Sequence, residues 1–160
     1  TLFGETARLL FQNNLLPVLI EMDKAHDGPL IQEISKSQGG RIPDIRKVQT
    51  TEQMLQRLQR MDAVIGMRLH AGVLAARVGV PPLMISYDPK VAAFAKLLDL
   101  GQPLAFEGLT PQRLVDRFLE FRKDRERNLR VMNKKVEELT KLAARNVELL
   151  DMTLRPTVNL

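Results

Sequence analysis

Three apolar runs, Leu15 to Ile20, Ala63 to Met67 and Leu83 to Tyr87, are each followed by a stretch with helical periodicity. This alternation restricts the fold more than any other feature, because strands separated by crossover helices pair in parallel. Ala63-Val64-Ile65-Gly66-Met67 is apolar without a break, which predicts a central strand covered by helices on both faces. Arg41 to Lys47 contains Pro43 and is a weaker strand, placed nearer an edge. Leu2 to Phe11 reads as an amphipathic helix with Leu2, Leu9 and Leu10 on its apolar side. The expected architecture is α/β: a three-layer Rossmann-like parallel sheet over residues 1–110, with a helical C-terminal extension over 111–160.

Helix starts are well marked. Thr50 with Gln53 forms a capping-box pattern, Asp88-Pro89 places an N-cap before proline at the first helical position, and Thr110-Pro111 repeats that arrangement. From Pro111 to about Met152 the sequence is helical, with Leu129, Met132, Val136, Leu139, Ala143, Val147 and Leu150 forming one apolar stripe. Packing across the domain, or onto a further domain, accounts for such a stripe; a dimeric coiled coil is the sharper alternative. A chain that opens at Thr1, already within a helix, is expected to be part of a longer protein.

Composition narrows the function classes. The sequence has 160 residues, no cysteine and two histidines, so no disulfide framework or thiolate metal site is available and no metal is expected. No apolar run approaches the roughly 20 residues of a spanning helix, and no export segment opens the chain. A cytoplasmic setting is expected. The net charge is +5, and the excess falls after Thr110, chiefly as Arg122, Lys123, Arg125, Arg127, Arg130, Lys134 and Lys135. A solvated helix face explains this run; peripheral contact with an anionic membrane is the functional reading. Nucleic acid is not expected, because the run has no aromatic residue for base stacking and matches no recognition motif.

In an open parallel sheet, ligands bind beyond the carboxyl ends of the strands, where helix N-termini favour anions. Three such junctions are legible: His26, Asp27 and Gly28; Arg68, Leu69 and His70; Asp88, Pro89 and Lys90. If the last two follow parallel neighbours, Arg68, His70 and Lys90 converge on one cationic crevice. Singly, each has a plain structural explanation. Arg68 pairs with a carboxylate on a neighbouring helix, His70 is a hydrogen-bonded first-turn histidine, or Lys90 is an exposed lysine at the second helical position. Lys90 is the least expected of these, since a cation in the first turn opposes the helix dipole.

The segment Gly66-Met67-Arg68-Leu69-His70-Ala71, with Ala75-Ala76-Arg77-Val78-Gly79-Val80-Pro81 and Ile85-Ser86-Tyr87-Asp88-Pro89-Lys90-Val91 and Phe94, resembles polysaccharide pyruvyl transferases of the CsaB type. The resemblance covers roughly Asp62 to Leu98. It implies the C-terminal domain of a GT-B-like two-domain fold, with phosphoenolpyruvate as donor substrate, no cofactor and a saccharide acceptor; the basic run beside the apolar stripe adds the expectation that this acceptor is lipid-linked at a membrane. The resemblance also implies His70 and Lys90 as catalytic residues and Arg68 as an anion-binding residue; Tyr87 and Asp88 of the same block, with His26 and Asp27 of the first junction, complete the expected substrate site. Other basic residues of such enzymes come from an N-terminal domain. A nucleotide-sugar glycosyltransferase or epimerase of the same two-domain class is the alternative enzyme, for which Glu107-Gly108 is the only weak ribose-binding candidate. A basic helical interaction module is the alternative without catalysis.

Overall fold

The computed structural model describes residues 1–48 and 50–154; the last residues of the expected extension, 155–160, lie outside the described part. The elements run α1 (Leu2–Gln12), β1 (Leu19–Ile20), α2 (Lys24–Ser37), β2 (Asp44–Ile45), α3 (Thr51–Leu58), β3 (Val64–Gly66), α4 (Leu69–Arg77), β4 (Pro82–Ser86), α5 (Pro89–Leu97), β5 (Leu104–Ala105), α6 (Pro111–Lys123) and α7 (Arg125–Leu154). Every strand pair is parallel: β1 with β2, β3 with β4, and β4 with β5.

The helices begin where their caps predict. Thr50 accepts from the Gln53 amide, Asp88 from the Lys90 amide and Thr110 from the Arg113 amide, so each side chain satisfies an amide that the first turn leaves unpaired. Successive residues of a strand face opposite ways, and the packing follows. Ile65, Leu83, Ile85 and Leu104 meet Leu10 of α1 and Leu114, Phe118 and Phe121 of α6. On the other face Val64 meets Met54 and Leu58 of α3 and Ala75 of α4, and Met84 meets Val91 and Ala95 of α5. Helices therefore cover both faces, giving a Rossmann-like α/β arrangement with a helical C-terminal region.

The structure departs from the sequence expectations in three places. The strands form two sheets, β1-β2 and β3-β4-β5, rather than one. As a consequence β4, buried from Pro82 to Ile85, is the central strand, while β3 lies at a hydrogen-bonded edge although Ala63 to Met67 reads as central. β1 is confined to Leu19–Ile20, leaving Leu15 to Val18 outside the ladder. The C-terminal region is broken in two at Asp124. Asn128, buried at 6% exposure, donates its side-chain amide to the Phe121 carbonyl at 2.9 Å and so satisfies a group freed by the break.

The apolar stripe of α7 has two fates. Met132 is fully buried against Ala76 and Leu98, with Leu129 and Val136 beside it, which fastens α7 to the outside of α4 and α5. Further along, Leu142, Val147, Leu149, Leu150 and Met152 are exposed.

Candidate active site

Parallel pairing puts the β3–α4 and β4–α5 junctions on one edge, and a contact between Arg68 and Asp27 brings the β1–α2 junction to the same edge. The β1–α2 junction is knitted around two carboxylates. Asp23 is the N-cap of α2, accepting from the Ala25 amide at 3.0 Å and holding His26 Nδ1 at 2.8 Å. Asp27 in the first turn folds back, and its Oδ2 accepts from the Met22 and Asp23 amides at 3.0 and 2.8 Å.

The other oxygen of Asp27 reaches across to the next junction. Arg68, the N-cap residue of α4, donates Nε and Nη2 to Asp27 Oδ1 at 3.1 and 2.9 Å, and its Nη1 lies 3.6 Å from Asp23 Oδ2. Arg68 cannot cap α4 with a side chain that only donates, and no side-chain cap is present there. The hydrogen bond to Asp27, aided by both carboxylates, raises the guanidinium pKa above its already high ordinary value. The Asp23 carboxyl is held below its ordinary value, chiefly by the His26 hydrogen bond, then by the Ala25 amide and the charge of Arg68.

Beneath this bridge lies a cavity of about 620 Å³, walled by Leu15 to Ile20 on one side and Asp62 to Arg68 on the other. His26, Asp27, Arg68 and Tyr87 all line it. Tyr87 follows β4 and is 59% exposed. Asp88 caps α5 through the Lys90 amide at 2.6 Å, which places a carboxylate beside the first-turn lysine that would otherwise oppose the helix dipole. His70 and Lys90 are exposed in the first turns of α4 and α5 and stand outside the cavity walls. Among the described residues, neither side chain makes a hydrogen bond or an ion pair. Of the seven residues expected from the sequence, four thus surround one cavity, and Asp88, His70 and Lys90 flank it on the same edge.

Sequence reasoning missed Asp23. Its signal was present as an N-cap aspartate four positions before Asp27, which places both carboxylates at the start of one helix. The opening thus carries a guanidinium fixed by two carboxylates and a phenol, so Arg68 has the neighbouring-carboxylate pairing that was its plain structural explanation, and the exposed imidazole of His70 and ammonium of Lys90 stand beside it.

The family model for polysaccharide pyruvyl transferase matches residues 6–89, more than half of the chain. The chain belongs to that family. The matched stretch runs from α1 to the first residue of α5 and contains every expected site residue except Lys90, which stands one position beyond it. No curated protein and no solved structure matches the chain. Among the described residues no helix is long and apolar enough to cross a membrane.

Proposed function

We propose that this pyruvyl transferase family member carries pyruvate from phosphoenolpyruvate to two hydroxyls of a saccharide, forming a ketal at the strand edge bearing Arg68, His70 and Lys90. The family match over residues 6–89 carries the reading, and the charge and placement of the side chains support it.

Ketal formation begins with proton delivery to the methylene carbon of the enol phosphate. The adjacent carbon then takes one sugar hydroxyl, phosphate leaves, and the second hydroxyl closes the ketal; each hydroxyl gives up its proton. The chemistry needs an anion clamp and a group that both gives and takes protons. His70 suits the second task, since the neutral imidazole ring carries one nitrogen that donates a proton and one that accepts. Lys90 neutralises phosphate as a compact charge. Arg68 has five N–H donors, and the two directed at Asp27 Oδ1 leave others for a carboxylate or phosphate. Asp27 holds that fork in place across the cavity mouth, with His26 and Asp23 behind it. Tyr87 stands where a saccharide ring can pack. In this reading the chain is the donor-binding half of a GT-B-like enzyme of the CsaB type, and acceptor contacts come from elsewhere in the protein.

Calorimetric titration of the full-length protein tests the donor assignment. Saturable binding of phosphoenolpyruvate, weakened by Arg68→Ala and by Lys90→Ala, is the expected result. Binding of a nucleotide sugar with no response to phosphoenolpyruvate would replace this reading with a glycosyltransferase.

A further inference from the structure

We propose that the cavity between β1 and β3 is the seat of a central β-strand supplied by the polypeptide preceding Thr1 in the full-length protein. Main-chain groups of both edges point into it. The Leu19 and Glu21 amides donate to the Pro43 and Ile45 carbonyls of the β2 segment, so the alternating main-chain groups of Val18 and Ile20 point the other way, toward β3. On the facing side, the Val64 amide donates to the Pro81 carbonyl, which turns the main chain of Ala63 and Ile65 toward β1. Two parallel edges thus confront each other, and among the described residues no hydrogen bond joins them.

The slot has the form of a strand. Its walls are the runs Leu15 to Ile20 and Asp62 to Arg68, which contain β1 and β3 and have the usual residue count of one strand. Above and below, it is lined by apolar side chains of the helix layers: Leu10 and Ile34 on one face, Leu58 and Ala71 on the other. Both edges are held in one body, because Ile20 of β1 packs into the same cluster as Val64 of β3. An apolar small molecule would fill the volume but leave the inward main-chain groups without partners. An extended peptide, apolar on both faces, satisfies the main chain and the side chains together.

Strand order identifies the occupant. With the cavity lined by β1 on one side and β3 on the other, the two sheets join in the order β2, β1, slot, β3, β4, β5. A doubly wound sheet has the order 3-2-1-4-5-6, in which the strand between the second and the fourth is the first in sequence. The slot is that position. It therefore calls for a segment ahead of β1, and every residue from Thr1 to β1 is already committed to α1 or to the wall itself. In such sheets the ligand crevice opens between the first and fourth strands, which here is the slot and β3, directly beneath Arg68. The loop leaving the inserted strand would complete the site from the side opposite Arg68. This holds whichever donor the enzyme uses.

Amide exchange and through-hydrogen-bond couplings, measured by NMR on the isotopically labelled full-length protein, test the proposal without substitutions. The Ile20 and Ile65 amides are expected to exchange as slowly as those of Leu19 and Val64, within about tenfold, and their couplings should lead to carbonyls of residues preceding Thr1. Exchange more than a hundredfold faster than at Leu19 and Val64 would overturn the proposal, since it would leave the slot open or occupied by something without hydrogen-bonding groups. Couplings directly between β1 and β3, or to a second copy in a mixed-label sample, would overturn it equally. None of these results depends on phosphoenolpyruvate binding, so this proposal and the donor assignment fail separately.

Discussion

Arg68 and Asp27 are separated by 41 positions in the chain, yet their charged groups meet at 2.9 Å over the cavity mouth. Both are partly buried, at 35% and 22% side-chain exposure, so the pair is worth more than an open surface bridge and less than a sealed one. Asp27→Ala should cost about 1–3 kcal/mol in urea unfolding, since it removes hydrogen bonds to a charged guanidinium and to two main-chain amides. A loss below a few tenths would show that water replaces the carboxylate. Asp23 gives a pH signature. Its folded pKa is depressed, chiefly by His26, so its contribution is complete above the unfolded value of about 3.9 and fades as pH falls through the lower folded value. Between pH 5 and pH 3 the wild type should therefore lose more stability than Asp23→Asn, which keeps a good N-cap. Equal losses by urea midpoint would contradict the assignment. Strand-end reasoning found Arg68, His26 and Asp27 individually because their position after apolar runs is a local signal. It left the Arg68 partner open among neighbouring carboxylates, since a contact between distant junctions leaves no periodic trace.

At the scale of elements, caps were the most legible feature. Thr50, Asp88 and Thr110 each act where the sequence placed them, because a cap is decided within four residues. β5 escaped notice since Leu104–Ala105 is too short to show a period, and it exists by pairing with Ile85 and Ser86. The break at Asp124 was hidden too, because it falls in the polar run Arg122 to Asn128, which has no apolar spacing to register a change of direction, and the bond from Asn128 to the Phe121 carbonyl stabilises the turn. The two parts of the α7 stripe should respond differently to truncation. Met132→Ala removes a fully buried anchor on α4 and should cost about 2–5 kcal/mol. Leu150→Ala, at an exposed position, should stay within about 0.5 kcal/mol; the reverse ranking in thermal unfolding would mean α7 docks by its distal half. Gly72 reports the closeness of α4 to the strands. A Cβ there would lie 2.7 Å from both Met84 Sδ and Phe94 Cε1, so Gly72→Ala should destabilise by about 1–3 kcal/mol despite its better helix propensity. Increased stability by the same measurement would show that these two side chains give way freely.

For the whole molecule, parallel strands between helices were readable because crossover connections impose the alternation directly. The division of the strands into two sheets was not, since hydrophobic pattern reports which residues are covered and says nothing about which strand lies alongside. That division matters because Arg68 and Tyr87 line the open seam, while His70 and Lys90 stand beside it in the first turns of α4 and α5. Family membership suggests a transferase; the proposed division of labour assigns proton transfer to His70 and charge to Arg68 and Lys90. The most direct test is ketal formation by full-length His70→Ala, with KM for phosphoenolpyruvate measured alongside kcat. A fall in kcat of about 10²–10⁴-fold with KM changed far less is expected, because a proton-transfer group is lost while the charge clamp remains. Near wild-type ketal formation by that variant would contradict the assignment of proton transfer to His70.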